Sequence, residues 1–146
     1  MAHSFLLEPG RWILQGNWLS RDTLLSPVKG KLLVAWSQND CFRIATKLSF
    51  PESHREDIVL QSRGRMNSQE RLYTFVLQHS LLGQVEGEGW ITPGSIVQRY
   101  WGLNDKQRRT GFETLRQVAD DRYYFSGGIM AGHYLTSTIE AELCRQ

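Results

Sequence analysis

Apolar and polar residues alternate along most of the chain with a period of two. The clearest run is 42–50, where Phe42, Ile44, Thr46, Leu48 and Phe50 share one face. Such alternation predicts half-buried β-strands. Comparable runs predict about ten strands, at about 10–21, 28–37, 42–50, 58–65, 71–80, 83–91, 95–103, 108–118, 122–130 and 133–145.

Turn signals separate these runs. They are the link 22–27, Asn39-Asp40, the loop 51–56, the turn 67–70, Pro93-Gly94, Asn104-Asp105, Asp120-Asp121 and Ala131-Gly132. Short turns favour an up-and-down strand order, and closure removes the exposed edges of a sheet. We therefore predict an all-β fold: a single helix-poor, up-and-down antiparallel β-barrel of about ten strands with a central cavity. The predicted domain is 1–146, with strands from about Gly10 to Arg145.

Two local features modify this pattern. Residues 3–8 can form one helical turn before Pro9 ends it. In the predicted sixth strand, Gly87 and Gly89 occupy alternate positions. Glycines inside a strand indicate strong curvature or a large neighbouring ring.

Composition narrows the functional classes. The chain has 146 residues, 40% of them apolar and 22% charged, and its net charge of +2 gives no basis for binding nucleic acid. The segment 1–8 has neither the basic start nor the apolar run of a signal peptide, and no run reaches the ~20 apolar residues of a spanning helix. We expect a cytoplasmic protein without a membrane span.

The sequence contains no catalytic or metal-binding constellation. Cys41 and Cys144 are expected to be partly buried thiols, with a disulfide as the alternative. No histidine lies at metal-ligand spacing from another ligand, and His79 is expected inside the barrel. These observations favour a binding protein over an enzyme.

The richest candidate chemistry lies in the predicted seventh and eighth strands. Arg99, Tyr100, Trp101, Arg109 and Arg116 combine cations with aromatic rings. An arginine inside a barrel can bind a carboxylate bidentately, while aromatic walls contact an apolar body. Arg99 shares a strand face with apolar neighbours, Val97, Trp101 and Leu103, so we expect it to point inward. The alternative is that these arginines are solvated on the outer face.

Further candidates lie elsewhere in the chain. Trp36, Trp90 and Glu140 complete the set of predicted ligand contacts. Glu113 and Glu140 occupy late strands, where an inward carboxylate would pair with an arginine or bind a cationic or pyrrole nitrogen. Placement at the surface is the simpler expectation for both glutamates.

The opening of the first strand resembles that of the calycin superfamily, which includes lipocalins and fatty-acid-binding proteins. The segment Gly10-Arg11-Trp12 carries its Gly-x-Trp pattern, and an arginine lies near the chain end. The resemblance implies that Trp12 lies at the closed end of the barrel, covered by Arg122 or Arg145. The link 22–27 is too short for the helical pair of fatty-acid-binding proteins, and no helix follows the last strand as in lipocalins.

Two helix-poor branches are more similar. Arg99-Tyr100-Trp101, Arg108-Arg109-Thr110 and the strand 136–145 resemble the S-type phycobiliprotein lyases. That likeness implies a bilin ligand and a phycobiliprotein subunit as partner. The ending Leu143-x-Arg145 is similar to that of nitrobindin-like haem barrels, in which alignment places Thr138 at the iron-ligand histidine and His133 five residues earlier.

These observations predict that the barrel binds a hydrophobic small molecule with an anionic end, either a bilin or other tetrapyrrole or a fatty-acid-like molecule. One alternative is a bilin lyase or chaperone that attaches a chromophore to a phycobiliprotein. The other is a structural or interaction domain whose barrel is filled by its own side chains. No cofactor other than such a ligand is expected, and a homodimer is a further expectation.

Overall fold

A computed structural model describes residues 1–21, 25–67, 69 and 71–146. Ten antiparallel strands form one closed barrel in up-and-down order, and β1 pairs with β10. The strands are β1 (Gly10–Ser20), β2 (Ser26–Trp36), β3 (Cys41–Ser49), β4 (Ile58–Asn67), β5 (Leu72–His79), β6 (Gly83–Ile91), β7 (Ser95–Gly102), β8 (Arg109–Ala119), β9 (Arg122–Ala131) and β10 (Tyr134–Arg145). The described residues contain no helix. The predicted all-β barrel and its strand order are confirmed.

Glycines inside the barrel make room for aromatic rings on neighbouring strands. A Cβ atom on Gly87 would lie 2.2 Å from Cζ of Phe75, and one on Gly89 would lie 1.9 Å from Cζ of Tyr73. Both distances are far shorter than a van der Waals contact. The predicted large ring beside these glycines is therefore confirmed: Gly87 faces the Phe75 ring and Gly89 faces the Tyr73 ring.

Replacing Gly89 with alanine is expected to lower the free energy of unfolding by about 1–3 kcal/mol, because the new methyl group must displace the buried Tyr73 ring. Equilibrium urea unfolding measures the change. Gly94→Ala is the matched control, since nothing lies within 4 Å of a Cβ atom placed there. Equal losses in the two variants would contradict the packing argument.

One end of the barrel is closed around Trp12. The rings of Phe5 and Tyr123 meet the indole edge-on, with centroids 5.3 and 5.8 Å away. Arg145 covers Trp12 with its guanidinium carbon 5.8 Å from the ring centroid, and it forms an ion pair of 2.8 Å with Glu8. Of the two arginines considered from the sequence, Arg145 is the one over Trp12.

The N-terminal segment crosses the same end. The His3 ring hydrogen-bonds the Tyr123 hydroxyl and the Thr92 carbonyl oxygen, each at 2.7 Å, and Trp36 Nε1 donates to the Leu6 carbonyl oxygen at 2.7 Å. The predicted helical turn over 3–8 is wrong, because Leu6 has a φ of 71°, outside the right-handed helical region. The segment is a plug that buries Leu6.

The turn and thiol predictions can be compared with the described chain. Asn39 and Asp40 form a turn with φ values of 65° and 59°, a conformation that these residue types tolerate better than most. Cys41 and Cys144 are both free and partly buried. Residues 22–24 of the predicted link, and 68 and 70 of the predicted turn, lie outside the described residues. Within the described chain, no helix is long and apolar enough to cross a membrane.

Candidate ligand-binding site

The barrel encloses a cavity of about 120 Å³. Its walls are mainly aliphatic and aromatic side chains, and Phe5 and Leu6 of the N-terminal segment close one end. Pockets for drug-sized ligands usually measure about 300–1,000 Å³. The barrel in this form therefore accommodates a group the size of one ring, and a longer ligand must extend beyond the cavity.

Three inward polar side chains form a hydrogen-bonded chain in this apolar interior. The Tyr73 hydroxyl donates to Oε1 of Gln98 at 2.6 Å, and Nε2 of Gln98 donates to Oε2 of Glu113 at 2.8 Å. Gln98 on β7 and Glu113 on β8 are paired directly across the sheet. All three side chains line the cavity, and Gln98 forms a hydrogen bond with each of the other two.

Glu113 is the titratable group at the centre of this cluster. Its partly accessible surface faces the cavity, and burial raises the pKa of its carboxyl group to about 7, against the smaller opposing effect of the hydrogen bond from Gln98. Burial also raises the pKa of the Tyr73 and Tyr100 hydroxyls, and the nearby Glu113 charge adds to both shifts. Near neutral pH the carboxyl group can therefore either donate or accept a hydrogen bond.

His79 supplies a second polar group to the wall. Its Nδ1 accepts hydrogen bonds from the backbone N–H groups of Leu81 and Leu82, at 3.1 and 3.3 Å. Burial, with a further contribution from the Arg109 charge, lowers the pKa of His79 to about 4. At neutral pH the ring is neutral, and Nε2–H is the donor that remains for a ligand. The predicted internal position of His79 is confirmed.

The predicted inward orientation of Arg99 is wrong. Its side chain is exposed on the outer face of β7, with the guanidinium carbon 5.4 Å from the Trp101 ring centroid. The inward face of β7 instead carries Ile96, Gln98 and Tyr100. The prediction assumed that the face with the apolar side chains Val97, Trp101 and Leu103 points inward. The opposite face can be buried although it carries Gln98, because Gln98 is hydrogen-bonded to Tyr73 and Glu113.

The other predicted ligand contacts fall in different places. Tyr100 lines the cavity, whereas Trp101 lies on the outer face. Trp36 packs against Phe42 near the plug, with ring centroids 5.3 Å apart. Arg109, at the end of the barrel opposite the plug, forms an ion pair of 2.8 Å with Asp105.

The remaining three candidates do not reach the interior. Trp90, Arg116 and Glu140 are exposed on the outer face of the barrel. The opposite error concerns Glu113: it was expected at the surface, but its side chain points into the cavity. The period of two that it shares with Gly111 and Leu115 was the available signal.

The positions relevant to a haem ligand are also clear. Thr138 lines the cavity, whereas His133 is exposed in the turn between β9 and β10. Across the ranges that the structure covers, no three His, Cys, Asp or Glu side chains group together as metal ligands. The inward position that would hold an iron-ligand histidine is therefore a threonine, and the nearby His133 points away from the cavity.

Comparison with known proteins identifies the fold. No family model and no curated protein matches the chain. Among solved structures, Rv2717c from M. tuberculosis is 16% identical, with 94% of this chain and 91% of that chain covered and a TM-score of 0.74. The S-type phycobiliprotein lyase CPES from Guillardia theta is 13% identical, with 94% and 87% covered and a TM-score of 0.67. At these identities the likeness shows a shared fold, and the chain is a closed ten-stranded antiparallel barrel of that kind.

Proposed function

We propose that the barrel binds an elongated, mostly apolar small molecule and holds one nitrogen-bearing ring in the cavity against Glu113. The observation that carries this proposal is an inward carboxyl group in a largely apolar cavity. Oε2 of Glu113 accepts a hydrogen bond from Gln98, and its other oxygen accepts none from the described residues. A buried carboxylate is costly unless it is paired, so an N–H donor on a ligand would be favoured there.

The cavity favours a bilin or other tetrapyrrole over a fatty-acid-like molecule. Its size matches a single pyrrole ring, and pyrrole N–H groups complement the carboxylate. No lysine or arginine is among the described residues that line it, so an anionic headgroup would have no cationic partner inside. Tyr100 on the wall and Arg109 at the end opposite the plug remain ligand contacts in this proposal.

A second candidate is a bilin lyase or chaperone, which would hold a chromophore in a fixed conformation for transfer to a cysteine of a phycobiliprotein subunit. The likeness in fold to the lyase CPES favours it. Preorganising the chromophore beside its acceptor would lower the entropic part of the barrier. In both candidates we place the protein in the cytoplasm, and a homodimer is compatible with either.

The proposal predicts how binding depends on pH. The bilin affinity of the wild-type protein is expected to rise about tenfold between pH 6 and pH 8, because a pKa near 7 makes the ionised acceptor about tenfold more populated over that range. Phycocyanobilin, titrated against the protein and followed by absorbance and fluorescence, measures the affinity. Glu113→Gln should remove the pH dependence, while Glu140→Gln, at an exposed position, should retain it.

Haem and a fluorescent fatty acid serve as competing probes in the same assay. Preferential binding of the bilin supports the proposal. Binding of the fatty acid alone would favour a lipid carrier, and binding of none of the three would favour a barrel that serves only as a structural or interaction domain. Transfer to an apo-phycobiliprotein subunit would then distinguish the lyase from a simple binding protein.

A further inference from the structure

An arginine that the strand pattern does not single out lies over two aromatic rings at the end of the barrel opposite the N-terminal plug. Arg55 belongs to the loop between β3 and β4. Its guanidinium carbon is 4.6 Å from the Phe50 ring centroid and 4.8 Å from that of Trp18. The two rings meet edge-on, with centroids 5.8 Å apart. Arg55 therefore has a defined aromatic platform.

The loop itself helps to position this arginine. The Ser53 N–H donates to the Phe50 carbonyl oxygen at 3.1 Å, and the Arg55 N–H donates to Oγ of Ser53 at 3.1 Å. Trp18 lines the cavity, whereas Arg55 does not. The indole thus lies between the cavity and the guanidinium, so the positive charge is one ring away from the cavity wall.

The charge of Arg55 is not neutralised within the described part of the chain. No described carboxylate forms an ion pair with it, and Asp57 of the same loop pairs with Lys47 at 3.5 Å. Partial burial lowers the pKa of the guanidinium from its ordinary value. The nearby Trp18 Nε1–H is buried and has no hydrogen-bond partner among the residues that the structure describes. The partly desolvated guanidinium of Arg55 therefore lies over the Trp18 ring, whose buried N–H is not hydrogen-bonded within the described residues.

The cavity determines where an anionic group of a ligand can lie. The interior holds about one ring and presents no lysine or arginine among its described lining residues. The N-terminal plug closes one end, so the rest of an elongated ligand must leave by the other. Arg109 is also at that end, but it is already paired with Asp105. Among the described cations at that end, Arg55 is the one whose guanidinium lies over a ring that lines the cavity, the Trp18 indole.

We propose that Arg55, held in position by Trp18 and Phe50, binds the anionic end of a ligand that leaves the cavity at the end of the barrel opposite the plug. The ligand chemistry is a carboxylate carried by the apolar molecule whose ring lies against Glu113, so the inference rests on the proposed function. A guanidinium presents a planar set of donors that matches a carboxylate bidentately. The aromatic platform fixes this set of donors before the ligand arrives, which reduces the entropy lost on binding.

The test compares a carboxylate ligand with its neutral ester. Phycocyanobilin and its dimethyl ester are titrated against the wild-type protein, Arg55→Gln and Arg63→Gln. Arg63 is the matched control, because it is an exposed arginine on the outer face of β4. We expect the wild-type protein and Arg63→Gln to bind the acid about tenfold more tightly than the ester, and Arg55→Gln to lose that preference without weaker binding of the ester.

Other results would overturn the inference in distinguishable ways. Equal weakening of acid and ester in Arg55→Gln would mean that Arg55 only supports Trp18, while binding in the cavity would stand. An acid preference that survives in Arg55→Gln would assign the anion to another cation. Failure of both ligands to bind the wild-type protein would reject the proposed function, and the role of Arg55 with it.

Discussion

Replacing Trp12 with alanine is expected to lower the free energy of unfolding by about 3–5 kcal/mol, as measured by equilibrium urea denaturation. The side chain has 0% of its surface exposed and packs against Phe5, Tyr123 and the guanidinium of Arg145. Truncation leaves a cavity where β1, β10 and the N-terminal plug meet. Within the described residues the Trp12 Nε1–H has no hydrogen-bond partner, so the loss reflects ring packing and the contact with the Arg145 guanidinium.

Trp90→Ala is the control for this experiment, since it removes the same side chain from an exposed position. Trp90 is 57% exposed on the outer face of β6. Its replacement is expected to change the free energy of unfolding by less than about 1 kcal/mol. Similar losses in the two variants would show that Trp12 has no special role in closing the barrel.

Glu113→Gln is expected to become more stable relative to the wild-type protein as the pH rises, by up to about 3 kcal/mol. The Glu113 pKa is about 7 in the fold, against an ordinary value of 4.5. Below pH 4.5 the group is protonated in both the folded and the unfolded state. Between pH 4.5 and pH 7 the unfolded chain loses the proton first, so the wild-type protein loses stability. Glutamine can still accept the hydrogen bond from Gln98 but carries no charge.

The measurement is the difference in the free energy of unfolding between variant and wild type at pH 4.5 and pH 8. His79 has the opposite effect, because its pKa of about 4 makes the fold less stable as the pH falls below 6.5. Since both proteins contain His79, its contribution cancels in the difference. The exposed Glu140→Gln should show little change with pH. A constant difference for Glu113→Gln would mean that Glu113 ionises as readily in the fold as in the unfolded chain.

Trp12 and Glu113 differ in how far the sequence alone predicts their positions. The closed end was largely predictable, since Gly10-Arg11-Trp12 and Arg145 lie on the first and last strands, which pair when the sheet closes. The polar cluster was not predictable, because the sequence does not distinguish Glu113 from an acid on the outer face of a strand. Its inward position depends on Gln98, which lies opposite it on β7. Arg55 gave no periodic signal, since it lies in the loop after β3 and meets Trp18 of β1 only when the sheet has formed.

The ten strands, their order and the closure of the sheet could be predicted from the sequence, because alternation and turn residues act locally and closure satisfies the hydrogen bonds of the edge strands. Only the tertiary structure decided which face of β7 points inward, since both faces mix apolar and polar side chains. The deciding contacts come from β8: Gln98 lies opposite Glu113, and the Tyr100 ring lies over Gly111, where a Cβ atom would be 2.0 Å from Cζ. Those contacts placed Arg99 outside and left Glu113 as the inward acid.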